Sequence, residues 1–300
     1  MSAHGQPQIS VIVPVWNEAA TITPLCREIR AVLETIGQPY EILAIDDGSQ
    51  DGTRERLLAL PFVRTFVHPY NKGNGAAVKT GVRQATGRLL VLMDGDGQHD
   101  PRDLPQLLAY AEAYELVIGS RTASAGQSWP RRSANRFFNG LATYVSGQPV
   151  RDLTSGFRVA HRQVLSQFLP LFRNGYSYPA TSTLACLKSG YSVAFVPITL
   201  RPRSGQSKIV AWRDPWRFVL IILKTTAFFS PLKIFTPISM ASIALGLLHA
   251  LYKMLLLHQR YTIFSILFIL TGVLVFCIGL VSEQIAMLRF EQLNQERSAQ

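Results

Sequence analysis

From Ile234 to Tyr252 the chain carries no Asp, Glu, Lys or Arg, and from Tyr261 to Val281 it again carries none. As helices, stretches of this length suffice to cross a hydrocarbon layer of about 30 Å, and interior helices of folded domains seldom run so far without a charge. Two spanning helices, about 234–256 and 261–282, are therefore the economical reading, against the alternative of two very apolar core helices. Only the short "LLLHQRY" separates them, so both chain ends are expected on one side of the membrane. The segment 201–233 is rich in Lys and Arg while the inter-helix loop has little beyond Arg260. That bias predicts an integral protein of the cytoplasmic membrane whose N-terminal part and short C-terminal tail face the cytoplasm. Just before the hairpin (232–300), "AWRDPWRFVLIILKTTAFFSPLK" mixes Trp212, Trp216, Arg213, Arg217 and Lys224 with Leu, Ile and Phe, as a helix lying in the membrane interface over 211–231 would.

The first 210 residues read differently. Short apolar runs ("ISVIVPV", "EILAI", "VRTFV", "LLVLM", "ELVIG") alternate with helical patterns, which predicts an α/β domain built of βαβ units on a largely parallel sheet. Thr21, Asp51 and Asp103 are expected to mark helix starts. The net charge of +11 calls for an anionic partner: nucleic acid, acidic headgroups or phosphorylated substrates. Cys26, Cys186 and Cys277 lie far apart without metal-ligand spacing, as packing residues in a reducing compartment do. The opening "MSAHGQPQISVIVPV" lacks a basic stretch followed by an apolar one, so no signal peptide is expected.

What the strands carry at their ends is more informative. In turn come Asn17-Glu18, Asp46-Asp47-Gly48-Ser49, Asn71-Lys72-Gly73, Asp94-Gly95-Asp96 and Ser120-Arg121. In an open parallel sheet the ligand crevice lies at the carboxyl ends of the strands, so these residues are predicted to converge. Ser49 and Asp51 also suit plain capping. In "LMDGDGQHDP" the carboxylates crowd one turn, which is unfavourable unless a cation sits among them, and a divalent metal is the simplest such cation. The alternative is a solvated Asp/Gly turn. "KGNGAAV" mimics a dinucleotide-binding loop, but it follows the third strand and has Val78 where a small residue belongs.

The ordered set "VIVPVWNE", "IDDGSQDGT", "NKGNGAAVKTG", "LMDGDGQHDP", "IGSR", "DLTSGFRV" and "RPRSGQSKI" resembles family 2 glycosyltransferases of the dolichyl-phosphate mannose synthase and bacterial polyprenyl-phosphate glycosyltransferase type. The resemblance implies a Rossmann-like GT-A fold over 1–210 and inverting transfer from a UDP- or GDP-linked sugar to undecaprenyl or dolichyl phosphate. It implies a nucleotide pocket walled by Pro14, Asn17, Glu18 and Asp46, with Asp47 behind them and Lys72 and Gly73 alongside. It makes Asp94, Asp96 and Gln98 ligands of a Mg²⁺ or Mn²⁺ ion, a choice that suits hard oxygen donors. His99 beside them is not needed as a ligand, and His249 in the first span reads as a helix-contact residue.

By the same resemblance the acceptor phosphate is held by Arg121, by one of Arg131, Arg132 and Arg136, and by Arg203 with Lys208. "SWPRRSANRFFN" is shorter than the family's usual segment, which leaves the choice among those three arginines open. The partners implied are a nucleotide-sugar, a polyprenyl phosphate and membrane lipid, with no nucleic acid; a homo-oligomer stays open. Because a phosphate oxygen is the nucleophile, no general base is required, and Asp152 is expected to position a cationic or backbone partner. Two other readings remain: a processive polysaccharide synthase, against which "AWRD" stands in place of Q-x-x-R-W, and a non-catalytic nucleotide-sugar-binding scaffold.

Overall fold

The computed structural model describes residues 7–121, 129–175, 178–201, 226–227, 230–256 and 262–298. It divides into two compact units, Met1–Phe218 and Val219–Gln300.

The first unit is built on one seven-stranded sheet in the order β3-β2-β1-β4-β6-β5-β7. Its strands are β1 (Ile9–Val15), β2 (Tyr40–Asp46), β3 (Val63–Val67), β4 (Leu89–Leu92), β5 (Leu116–Arg121), β6 (Arg158–His161) and β7 (Val193–Ile198). All neighbours run parallel except β6, which lies antiparallel between β4 and β5. Chain order reverses direction at β1 and β4, so the carboxyl ends of these two strands frame the crevice such a sheet offers to a ligand.

The central strands β1, β2 and β4 are buried on both faces, and the sequence shows why. Ile9, Val11, Val13 and Val15 of β1 join one core with Ile22, Leu25, Cys26, Ile29 and Leu33 of helix α1 (Ala19–Ile36). On the opposite face helix α3 (Asn74–Gln84) packs against β1 and β2, the helix between them in sequence being α2 (Thr53–Leu58). The close helix–strand approach is made at Gly81, where a Cβ would sit 2.3 Å from Ile12 Cγ2. The other α-helices among the described residues of this unit are α4 (Leu104–Tyr110), α5 (Trp129–Ser146), α6 (Arg162–Gln167) and α7 (Tyr178–Lys188). Burial pushes the thiols of Cys26 and Cys186 up to about 12, so both are inert packing groups.

Of the expected helix starts, Asp103 holds the N-cap position of α4, Asp51 lies one residue before Gly52, the N-cap of α2, and Thr21 differs. Thr21 lies inside α1, whose N-cap is Glu18, and its hydroxyl donates to Glu18 O and to Gly95 O. Asp103 makes no side-chain capping bond at that position, while Asp100 caps the short 3-10 turn Pro101–Asp103 just before it. Pro101 at the first position of that turn has no amide hydrogen of its own, and the Asp100 side chain accepts from the Arg102 amide.

In the second unit a helix from Leu232 to Leu256 pairs with one from Ile263 to Ser298, and both are long and apolar enough to cross a membrane. The second helix runs well past 282. Where oil offers no hydrophobic drive between helices, close backbone approach and hydrogen bonds must hold them. Ser239 Oγ accordingly donates to Gly272 O (2.8 Å) and Ser242 Oγ to Phe268 O (2.8 Å), and His249 Nδ1 bonds Ser265 Oγ (2.8 Å). At Gly272 a Cβ would meet Ile243 Cγ1 at 2.5 Å. Glu283 Oε2 accepts the Leu232 amide, satisfying one free donor at the start of the first helix. The interfacial segment expected over 211–231 lies almost wholly outside the described residues.

Candidate active site

At the end of β1 the chain turns through Asn17, whose φ of 52° is the one left-handed value among described non-glycine residues. The β2 turn secures it. Ser49 Oγ accepts from Asn17 N (2.8 Å), Thr53 Oγ1 from Glu18 N (2.9 Å) and Asp51 Oδ2 from Ala19 N (3.1 Å), while Asn17 Oδ1 accepts from Gln50 N (2.8 Å). "DGSQDGT" thus caps the start of α1 from across the crevice, which extends the capping role expected of Ser49 and Asp51. The strained backbone at Asn17 is over-determined by four bonds, as strain at a functional site must be.

Asp46 and Asp47 divide their work. Asp47 is buried and saturated: Oδ1 accepts from Lys72 N (2.9 Å), Oδ2 from Gly73 N (2.7 Å), and His68 Nδ1 lies 2.7 Å from Oδ1. His68 Nε2 in turn meets Thr80 Oγ1 at 2.9 Å. This carboxylate therefore shapes the Lys72–Gly73 loop rather than facing a ligand. Asp46 is fully buried, yet only Oδ1 is engaged, by Ser49 N; Oδ2 has no hydrogen-bond partner. Sequence reasoning missed His68, although it is the first polar side chain after the β3 run, in the same phase as Asp46 and Asp94.

The glycines of "KGNG" serve packing. Gly75 N and Ala76 N donate to Gly175 O and Asn174 O, and a Cβ on Gly73 or Gly75 would lie 2.4 Å from Asn174 O or 2.0 Å from Arg173 O. With the amides at the start of α3 already consumed by carbonyls, no pyrophosphate fits there in the manner of a dinucleotide fold.

After β4 the turn bearing Asp94, Asp96 and Gln98 is fixed from several sides. Gly95 N donates to Pro14 O (3.2 Å), Thr21 Oγ1 to Gly95 O (3.1 Å) and Gln98 N to Asp96 Oδ1 (3.1 Å). Asn74 Nδ2 approaches Asp94 Oδ1 at 3.4 Å, leaving its own Oδ1 buried without a partner. Gly156 forms the wall behind Asp94, where a Cβ would stand 2.1 Å from Oδ2. The loop holding Gly156 is shaped by fully buried Arg158, which donates to Ser155 O, Pro179 O and Ser182 Oγ. His99 is buried against Phe157, with Nε2 3.9 Å from Asp94 Oδ2 and Nδ1 unpartnered. Burial pushes its pKa down to about 4, against the pull of Asp96, so it is neutral near pH 7.

Arg121, at the end of β5, makes a two-point pair with Asp152, Nε to Oδ2 at 2.7 Å and Nη2 to Oδ1 at 2.8 Å. Burial alone would raise the Asp152 pKa, but the hydrogen bonds and charge of Arg121 outweigh it and hold the carboxyl below its ordinary value. Asp152 is thus an ionised anchor for Arg121, poorly suited to collect a proton. Asp100 lies between Arg102 and Arg201, and mainly the Arg102 hydrogen bonds push it down to about 2.

The crevice therefore gathers Asn17, Glu18, Asp46, the Asp94–Gln98 turn and Arg121 at one edge of the sheet. Lys72 is exposed and its ammonium lies 5.6 Å from the Tyr70 ring centre; Arg136 is exposed on α5. Arg203 and Lys208, and the side chains of Arg131 and Arg132, lie outside the described residues. No group of three or more His, Cys, Asp and Glu suited to a metal occurs among the described residues. Two carboxylates and an amide oxygen in one turn nevertheless fit a hard cation that takes further oxygen ligands from a substrate.

Residues 10–169, more than half of the chain, match glycosyl transferase family 2. The chain belongs to glycosyl transferase family 2. In this family 2 member, residues 230–288 also match the GtrB C-terminal hairpin, which agrees with membrane anchoring through the two apolar helices. A curated relative is undecaprenyl-phosphate 4-deoxy-4-formamido-L-arabinose transferase of Serratia proteamaculans, 29% identical over 188 residues. The alignment spans 58% of this chain and 58% of that relative's length. Among solved structures, glucosyl-3-phosphoglycerate synthase from Mycobacterium tuberculosis in complex with Mn²⁺, uridine diphosphate and phosphoglyceric acid superimposes with a TM-score of 0.60 at 20% identity, over 73% of this chain and 78% of that one. The same enzyme with Mn²⁺ and UDP-glucose gives 0.58 at 21% identity, over 73% and 79%. These neighbours establish the GT-A fold of the family 2 domain.

Proposed function

We propose that the protein transfers a sugar, with inversion, from a UDP- or GDP-linked donor to a polyprenyl phosphate at the cytoplasmic face of the membrane. The observation that carries this reading is the division of labour at the sheet edge: Asp47 and Asp152 are saturated by the protein itself, while Asp46 Oδ2 is buried with no partner. A buried carboxylate oxygen that the protein leaves unpaired calls for a water, an ion or a ligand to complete it, and at this end of the sheet a ligand suits best. The N–H groups of uracil and of guanine both suit it, so Asp46 would hold the nucleotide base, with Asn17 and Glu18 beside it.

Asp94, Asp96 and Gln98 would hold a Mg²⁺ or Mn²⁺ ion, which when bound neutralises charge on the departing diphosphate. The Mn²⁺ and uridine diphosphate bound by the glucosyl-3-phosphoglycerate synthase support that assignment. Arg121, held rigid by Asp152, would orient the acceptor phosphate with Arg203, Lys208 and one of Arg131, Arg132 and Arg136. Arginine binds phosphate at two points, and aligning two anions is the main task of such a site. The acceptor oxygen is already anionic near neutrality, so no side chain has to remove a proton. Asp152 fits this scheme because it stays ionised and paired. The undecaprenyl phosphate named in the curated relative supports the acceptor class. A hairpin of two helices is too small to enclose a channel for a growing polymer, which disfavours a processive synthase.

The reading is tested by supplying a panel of UDP- and GDP-sugars with undecaprenyl and dolichyl phosphate and following label into the lipid extract. One donor should label lipid in a strictly metal-dependent way; donor binding without any transfer would leave only a scaffold. For topology, Gln259→Cys should react with an impermeant thiol reagent in intact cells and Ser298→Cys should not. The reverse pattern would overturn the cytoplasmic placement.

A further inference from the structure

We infer that Arg201 is a positioning residue for the metal-binding turn. The inference rests on the assignment of Asp94, Asp96 and Gln98 to a divalent cation. The turn contains Gly95 and Gly97, the latter at φ 71°, and brings like charges together, so it does not hold its shape unaided. Its first half is tied down by Pro14 O and Thr21 through Gly95. The second half is held by Asp96 through its own Gln98 amide and by a short segment from the other end of the domain. Arg201 N donates to Gln98 O (2.8 Å), and Leu200 forms an antiparallel bridge with His99. Thr199 N reaches Asp103 Oδ2 at 3.4 Å, just beyond the turn.

The Arg201 side chain then locks that segment in place. Nη2 donates to Asp100 Oδ1 (2.8 Å) and Nη1 to Glu28 Oε2 (2.6 Å) on α1, so one guanidinium joins the turn to the helix that also carries Thr21. Arginine suits this task because its planar fork can hold two carboxylates in fixed directions, which an ammonium cannot. Arg102 also bonds Asp100, but from two residues away and with an exposed side chain, so it bridges nothing. Removing Arg201 has two opposed effects. The added negative charge attracts a cation, while the ligand turn loses its order. Outer partners that orient metal ligands typically account for about 10–100-fold in metal affinity, and Asp100 keeps Arg102 as a counter-charge, so loss of order should dominate.

The test measures Mn²⁺ binding to the full-length protein in lipid nanodiscs with UDP or GDP present, by the loss of the free-ion paramagnetic resonance signal, alongside the Mn²⁺ dependence of transfer. Arg201→Gln should weaken Mn²⁺ binding about tenfold and raise the Mn²⁺ concentration for half-maximal rate equally, with kcat at saturating Mn²⁺ close to the parent value. A merely structural role would lower kcat through unfolded protein and leave metal affinity unmoved. Glu28→Gln, a milder surface change, should shift Mn²⁺ affinity in the same direction by less, and Arg201→Lys should restore it only in part. Arg102→Ala should change it less than about twofold, as a surface pair would. Unchanged or tighter Mn²⁺ binding in both Arg201→Gln and Glu28→Gln would overturn the inference. Asp96→Asn serves as the separate control: if it keeps parent Mn²⁺ affinity, the metal assignment itself fails, whatever Arg201 does.

Discussion

The two ends of strand β2 carry buried carboxylates that are treated in opposite ways. At the amino end Glu41 is saturated: Oε1 accepts from Ser10 Oγ (2.6 Å), Thr86 N (2.7 Å) and Thr86 Oγ1 (2.7 Å), and Oε2 pairs with Arg64. At the carboxyl end Asp46 keeps one buried oxygen without a partner, and Asn74 Oδ1 and His99 Nδ1 nearby are in the same condition. The remaining unpartnered buried atoms among the described residues are hydroxyls of Thr65, Ser155 and Ser189, which can rotate to find weak partners. A buried polar atom left unmade costs about 1–3 kcal/mol. The sheet thus uses its polar groups for stability at one end and keeps them ready for a ligand at the other.

That contrast can be broken most severely at the metal turn. Asp96→Asn keeps the bond to Gln98 N but removes a charged ligand, so transfer should fall by on the order of a thousandfold, the several kcal/mol that a cation gives a phosphate leaving group. Chelation by EDTA should match it and be reversed by adding Mn²⁺ or Mg²⁺. Parent rates in metal-free buffer would remove this turn from the chemistry.

A sharper comparison sets Asp46→Asn against Glu41→Gln. The first should raise the donor KM about tenfold to a hundredfold, the range for losing a hydrogen bond to a charged acceptor, with little change in melting temperature. The second should do the opposite, lowering stability by about 1–3 kcal/mol while the donor KM stays put. If both changes altered stability alone, the crevice would be no binding site.

A smaller effect should appear in acid. Burial would raise the Glu41 pKa, but hydrogen bonds from Ser10, Thr86 and Arg64 hold it below the ordinary 4.5. Its folded-state pKa is therefore depressed, and its contribution is present above about pH 4.5 and lost as pH falls through the lower folded value. Thermal melts of parent and Glu41→Gln should converge on acidification in that window. Curves that stay parallel would deny Glu41 this role.

Much of this was legible in sequence because strand ends announce themselves. Asp46 and Asp94 each stop an apolar run, and a parallel sheet brings such stops to one edge. β6 was not legible as a strand, since it is short and opens with Arg158, whose charge is tolerated only because carbonyl and hydroxyl oxygens far along the chain enclose it. The purpose of Gly73 and Gly75 was equally hidden, being set by the carbonyls of residues 173 to 175. Arg201 gave no local signal either, because its partner Glu28 is 173 residues away. Thr21 was misplaced as a cap for a related reason: its hydroxyl serves Gly95, a contact that only the folded turn creates.

The central claim, that an anionic acceptor phosphate attacks the sugar without help from a protein base, is tested most directly by presenting labelled donor with undecaprenyl phosphate and with free undecaprenol in parallel across pH. The account predicts a phosphate-linked, anomerically inverted product from the first and none from the second, with a rate that rises through the acceptor's own ionisation to a plateau; Asp152→Asn, which frees Arg121, lowers that plateau but keeps the acidic limb. Efficient glycosylation of the free alcohol, or an acidic limb that vanishes in Asp152→Asn while donor and metal still bind, would contradict it.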